Sequence, residues 1–428
     1  MLVSVCCVPA PVAGTVTVPP SKSDAHRALI AAALAVRGDA SARAAVSGLT
    51  EWSQDLLATR RTLAALGVSV HVEGETAVLT AAAPADGPVD CGESGTTLRL
   101  LLPVFAACGV PAEWHGQGRL PQRPLGVYEQ CLPAHGVTWR RTGADQLPLH
   151  TGGRLTGGAF AIPGDVSSQF VSGLLLALPL CGQDSTLCLA TAEQSAGYAD
   201  MTLQTLHRAG IDARRTETGF AVRAGRYLPG EYTVEGDWSQ AAFPLAAGAL
   251  SGTVTVTGLR ADSRQRDARI VPLLRRFGAA VTQAGDRVTA DMAPLTGCDI
   301  DAGDIPDLVP VLAVLAAAAA GTSHITHVAR LRLKESDRLA VTADNVRRLG
   351  AAATVEDDAL IITGVPRFRP ATLDGAGDHR IVMSAAVAAL HADGPITVTG
   401  QGSVAKSWPS YFTMYQQIGG ICHVVDDR

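Results

Sequence analysis

This chain of 428 residues is poor in charge, with 18% Asp, Glu, Lys and Arg against 47% apolar residues. Its small net charge of -5 and the absence of any basic, aromatic-studded run leave nucleic acid without an electrostatic footprint. No apolar run approaches bilayer length. The longest, Leu312 to Ala320 and Leu174 to Leu180, fall well short of a spanning helix, so no membrane segment is expected. The first eleven residues are apolar but carry no Lys or Arg ahead of them, which disfavours a secretory signal. Nine cysteines occur without a single CxxC, an odd and scattered set that reads as reduced thiols in a cytoplasm. Neither GxxxxGK[ST] nor GxGxxG is present, which argues against a nucleotide-dependent kinase.

What the chain does contain is repetition. A polar turn opening an apolar helix recurs at Ser21-Lys22-Ser23-Asp24, Gly92-Glu93-Ser94-Gly95, Gly164-Asp165-Val166-Ser167-Ser168, Gly236-Asp237-Trp238-Ser239, Gly303-Asp304-Ile305-Pro306-Asp307 and Gly377-Asp378-His379-Arg380. The spacing is roughly 70 residues, a mark of repeated supersecondary units. In phase with it, glycines 67, 136, 210, 278, 350 and 419 read as helix C-caps leading into alternating, strand-like stretches. Each unit is predicted to run strand, helix, strand, helix, hairpin. Breaks at Pro19-Pro20 and within residues 227–236 divide the series into a lobe at 19–234 and a second at 1–18 plus 235–428, with a hinge where the chain crosses twice.

Charge is concentrated where the repeats turn. In Lys334-Glu335-Ser336-Asp337-Arg338, predicted to follow a strand and form about one helical turn, Lys334 and Arg338 stand four apart, placed to clamp an anion. Such a segment taken alone is more often an exposed helix face with ion pairs. An N-cap Ser or Asp, equally, is usually only a cap. These turns carry more than capping requires. Lys22 and Arg27 flank the first, Arg99 follows Gly95, Ser167-Ser168-Gln169 opens the third, and Arg380 closes the sixth. Arg123 and Lys406 add cations beside prolines. Helix N-termini converging with such cations make an anion site.

In Pro20-Ser21-Lys22-Ser23 with Arg27, Gly95-Thr96 with Arg99, Arg123-Pro124, Gly164-Asp165 with Ser167-Ser168-Gln169, Ser195 with Tyr198, Ile305-Pro306-Asp307, Lys334 to Arg338, Asp378-His379-Arg380 and Ala405-Lys406, the chain resembles the 3-phosphoshikimate 1-carboxyvinyltransferase (EPSP synthase) family along its whole length. The resemblance implies an α/β fold of two similar lobes, each of three βαβαββ units in an inside-out α/β barrel, with a cleft between them. It implies a usually monomeric transferase without metal or organic cofactor, joining phosphoenolpyruvate to shikimate 3-phosphate in aromatic amino acid biosynthesis. By motif, Asp307, Glu335 and Lys22 would be catalytic. Shikimate 3-phosphate would meet Lys22, Ser23, Arg27, Ser167, Ser168, Gln169, Ser195, Asp307 and Lys334. Phosphoenolpyruvate would meet Lys22, Gly95, Arg123, Gln169, Arg338, Arg380 and Lys406. Whether Lys22 or Glu335 protonates C3 of the donor stays open. Without substrates, the converging cations are expected to repel one another.

Departures from common family patterns occur at Glu93-Ser94, at Ala196-Gly197 and at Arg330. The alternatives are a transferase acting on UDP-N-acetylglucosamine and a non-catalytic phospholigand-binding protein of the same fold. The former would carry Lys-Asn at the first turn, where Lys22-Ser23 stands, and the latter would lack Asp307 or Glu335.

Overall fold

In the computed structural model, which describes residues 3–426, alternating strands and capped helices build six four-stranded sheets among the described residues. Each sheet pairs two strands in parallel and completes itself with antiparallel neighbours, as in Val89–Asp90, Ala112–His115, Leu149–Gly153 and Val137–Arg141. The parallel pair needs a helix crossover and the antiparallel pair a tight turn, which is the βαβ-plus-hairpin unit that the sequence period requires.

Polar turns start the helices by the predicted means. Ser21, Ser94, Ser167, Asp237 and Asp378 each accept a backbone N–H of the first turn, each worth about 1 kcal/mol. The fifth turn differs. Pro306–Leu308 forms a 3-10 turn before the helix Val309–Ala318, and the apolar N-cap residues Ile305 and Leu308 provide no side-chain cap. Gly67, Gly136, Gly210, Gly278, Gly350 and Gly419 all take positive φ at helix ends, a conformation that costs an L side chain and not glycine.

The chain divides into two compact units, Met1–Pro19 with Glu235–Arg428, and Pro20–Val234. Each has three of the sheets and its own apolar core, the larger helices of which are rich in alanine and leucine. Each unit completes its own series with strands drawn from distant parts of the chain. Strand Val12–Thr17 pairs with Gly252–Thr257 and supplies the parallel partner of the fourth repeat, while Glu231–Thr233 does the same for Arg43–Ser47 of the first. The sixth repeat closes with strands from the two ends of the chain, Val3–Val8 against Ile421–Asp426. No helix among the described residues is long and apolar enough to cross a membrane.

Candidate active site

The charged segment at 334–338 has a different backbone from the predicted one. Residues Ala329–Leu333 form a 3-10 turn rather than a strand, Lys334 is extended, and the helix starts only at Arg338 with Asp337 as its cap. A cap at Asp337 satisfies the first turn of Arg338–Arg348 and so stops the helix from reaching back to Lys334. The two cations nevertheless clamp an anion, and it is the carboxylate of Asp307. Lys334 Nζ stands 3.4 Å and Arg338 Nη1 2.9 Å from Asp307 Oδ1, while Arg380 Nη2 donates to Oδ2 at 3.0 Å.

Arg338 is 1% exposed and is surrounded by acceptors. It donates to Asp378 at 2.9 Å, Asp307 at 2.9 Å and Glu335 at 2.6 Å. Burial opposes its charge, yet Asp378, Glu335 and Asp307 outweigh that and hold its proton more tightly than usual. Asp378, fully buried, also caps the helix His379–Ala389 and accepts from Ser336. Removing one member of such a buried pair typically costs about 3–5 kcal/mol. Arg380 is fixed by Asp307 and by the Ser239 hydroxyl at 3.0 Å. Lys406, buried, donates to the Gly377 carbonyl at 2.8 Å. The expected repulsion among cations is offset in this unit: Arg338, Arg380 and Lys334 are held by Asp307, Glu335 and Asp378. Burial lowers the Lys334 ammonium to about 8, with Asp307 opposing the shift and Arg338 and Arg330 adding to it.

In the unit 20–234, Lys22 at the start of its helix pairs with Asp55 at 2.7 Å. Arg27, one turn on and 2% exposed, donates to Thr202 at 2.8 Å, Ser172 at 2.9 Å, the Tyr198 carbonyl at 3.1 Å and the Ser23 carbonyl at 2.6 Å. Burial brings it down to about 10. Gly95 is a glycine for a local reason: a Cβ there would sit 2.7 Å from Arg123 Nη1 and 2.9 Å from Cζ, so the guanidinium lies flat against the helix start. Gln169 is held from both ends, its oxygen by Arg99 at 2.9 Å and its amide on Thr96 at 2.8 Å. Arg99 also reaches the Pro124 carbonyl and stacks over Phe170. Gln169 thus joins the second and third polar turns, and Arg99 ties both to the loop that carries Arg123. Ser167 caps the helix that begins at Ser168, which is buried. Ser195 is buried and left-handed (φ 58°), a strained setting for serine.

The structure thus gathers Asp307, Glu335, Lys334, Arg338, Arg380 and Lys406 onto the polar turns of one unit. Lys22, Ser23, Arg27, Gly95, Arg123, Ser167, Ser168, Gln169 and Ser195 lie on those of the other. Sequence reading missed several partners: Asp55 on Lys22, Thr202 and Ser172 on Arg27, and Asp378 on Arg338. Asp267, buried and pushed up to about 7 by desolvation and then by Asp307, is another. It also missed Arg215, which donates to Glu193 at 2.6 Å, Asp200 at 2.7 Å and the Ala196 carbonyl at 3.1 Å while stacked on Phe220. Those contacts bracket Ser195. Arg330 donates to the Gly303 carbonyl. Among the described residues no group of three or more His, Cys, Asp or Glu is placed to hold a metal ion.

Comparison with known proteins gives a consistent result. Residues 8–414 match the family model described as EPSP synthase (3-phosphoshikimate 1-carboxyvinyltransferase). A 3-phosphoshikimate 1-carboxyvinyltransferase of Halobacterium salinarum is 40% identical over 427 residues, 96% of this chain and 97% of that protein. One from Clostridium novyi is 33% identical over 97% of both chains. Among solved structures, an EPSP synthase from Acinetobacter baumannii superposes with a TM-score of 0.82 at 26% identity, covering 99% of this chain and 100% of that one. The enolpyruvyl transferase NikO from Streptomyces tendae shares the fold, with a TM-score of 0.76 at 21% identity, over 100% of this chain and 99% of that one.

Proposed function

The chain belongs to the EPSP synthase family, and from that premise we propose how its residues carry the transfer of a carboxyvinyl group from phosphoenolpyruvate to the 5-hydroxyl of shikimate 3-phosphate. The observation that carries the reading is Asp307, an acid held by Lys334, Arg338 and Arg380.

The hydroxyl oxygen adds to C2 of the enol phosphate and C3 gains a proton; C3 then gives a proton up as phosphate leaves. Both steps need a proton acceptor and a proton donor in place. Asp307 takes the hydroxyl proton. Glu335, oriented by Arg338, exchanges the proton at C3, with Lys22 as the other candidate donor, held by Asp55. Both substrates bring phosphate and carboxylate charge, and Arg338, Arg380 and Lys334 can share themselves between these and Asp307. Each incoming anion thereby loosens the hold on Asp307 and frees it to accept a proton.

The unit 20–234 supplies most of the shikimate 3-phosphate contacts: Arg27 and Ser23 at the carboxylate, with Ser167, Ser168 and Ser195 at the phosphate, and Gln169 between the ligands. By motif, Lys334 is assigned to the same ligand. Arg123 with Gly95, Arg338, Arg380 and Lys406 receive phosphoenolpyruvate. The Gln169 amide, pinned by Arg99 and Thr96, supports that division. A cytoplasmic monomer fits the nine free thiols and this complete set of reagents on one chain.

The test is phosphate release from phosphoenolpyruvate with each acceptor in turn. Release with shikimate 3-phosphate and none with UDP-N-acetylglucosamine is expected; the reverse preference, or tight binding of both substrates without release, overturns the reading.

A further inference from the structure

Five of the repeats close with an antiparallel pair of consecutive strands, four joined by a short turn, such as Val68–Glu73 with Thr76–Ala81 and Ala352–Val355 with Ala359–Thr363, and the fifth, Val137–Arg141 with Leu149–Gly153, by the loop 142–148. The sixth has no such connection. Its pair is Val3–Val8 against Ile421–Asp426, the first strand of the chain against the last. Ile421–Asp426 is an edge strand, hydrogen-bonded on one side only, and it exposes Ile421 and Val424. Nothing covalent holds the two together locally, so this is the repeat most prone to fraying.

Across that pair Cys7 stands directly opposite Cys422. Directly opposed residues in an antiparallel ladder point to the same face with Cα atoms about 4.5–5.5 Å apart, inside the range a disulfide spans. The two thiols act on one another, raising Cys7 and lowering Cys422. Cys7 is 1% exposed and packed in the core, whereas Cys422 is half-buried with Gln416 beside it. Cys6 alternates to the opposite face, opposite His423.

We propose that Cys7 and Cys422 are a modification site: a dithiol that a hydroperoxide converts reversibly to a disulfide, tying the first strand to the last. The two sulfurs have distinct parts. Cys422 is the half-exposed sulfur that a peroxide can reach, and Cys7 beside it lowers its thiol while Cys7 itself is raised, so Cys422 is the nucleophile. Cys422 thiolate attacks one peroxide oxygen, the O–O bond breaks, and hydroxide leaves as a sulfenic acid forms. Cys7 sulfur then attacks the sulfenic sulfur, the S–O bond breaks, and the Cys7 proton leaves with the oxygen as water. Two thiols and one peroxide give one disulfide and two waters. The bond supplies the covalent link that the other repeats have in their connecting turns and loop.

Treating the full chain with a few equivalents of hydrogen peroxide should lower its intact mass by two hydrogens and yield one peptide pair linked through Cys7 and Cys422, reversed by dithiothreitol. The oxidised chain should melt about 5 °C higher. Cys6→Ser should keep both effects and Cys422→Ser should lose both. Cys422 oxidised to the sulfinic acid with Cys7 still a thiol, Cys7 linked to Cys6, or a melting gain that survives in Cys422→Ser would each overturn the proposal. Should Cys422→Ser fail to fold, the peptide map of the unaltered chain decides alone.

Discussion

At the scale of single residues, the site depends on side chains whose shape matters as much as their charge. Arg123 is a flat guanidinium laid on a helix start, close against the bare Cα of Gly95. Lysine keeps the charge but loses the plane and the fork. Arg123→Lys is therefore expected to weaken phosphoenolpyruvate binding at least about tenfold, with the shikimate 3-phosphate affinity unchanged; equal donor affinity in isothermal titration would show that charge alone suffices. Lys334 gives a pH signature. Its ammonium lies near 8 in the folded chain against 10.5 ordinarily. Keeping the charge below pH 8 thus costs stability, and the cost is relieved as pH rises from there toward 10.5. Binding runs the other way, because anion contact needs the proton. The KM for shikimate 3-phosphate should be flat to about pH 8 and then climb, and Lys334→Arg should abolish the climb. A flat KM through pH 9.5 in the unaltered chain would remove Lys334 from the ligand.

At the scale of elements, the same amino acids did both structural and chemical work, and this decided what could be read in advance. The capping residues Ser21, Ser94, Ser167, Asp237 and Asp378 and the positive-φ glycines act on their own neighbours, so local pattern revealed them. The fifth turn broke the pattern because Pro306 starts a 3-10 turn whose N-cap is the apolar Ile305, and Asp337 stopped a helix that charge spacing alone suggested would reach Lys334. Partners such as Asp55, Ser172, Thr202 and Asp378 lie 33, 145, 175 and 40 residues from the cations they hold, and no local signal joins them. Arg215 belongs to this class. Stacked on Phe220, it holds Glu193, Asp200 and the Ala196 carbonyl around the left-handed Ser195. Arg215→Gln should loosen that loop and raise the KM for shikimate 3-phosphate about five- to tenfold, since one charged contact is typically worth over 1 kcal/mol. The kcat should change little, and Arg215→Lys should recover part of the loss. A fall in kcat with KM unmoved would place Arg215 elsewhere in the mechanism.

At the scale of the whole molecule, the two units differ in how the chain builds them. Pro20–Val234 is contiguous and has a core of its own, whereas the other unit takes Val3–Val8 as an interior strand of one sheet and Val12–Thr17 as the edge of another. A fragment of residues 20–234 should therefore fold alone, with cooperative thermal unfolding and measurable shikimate 3-phosphate binding but no turnover. A fragment of 235–428 should not fold, because it lacks a strand with ladder partners on both sides. A non-cooperative 20–234 fragment would contradict this.

The central claim is that Asp307, seated among Lys334, Arg338 and Arg380, is the base of carboxyvinyl transfer. Its most direct test is the turnover of Asp307→Ala with both substrates saturating and the affinity for shikimate 3-phosphate measured alongside. A loss of at least about a hundredfold in kcat with the ligand still bound is expected. Near-normal turnover would contradict the assignment.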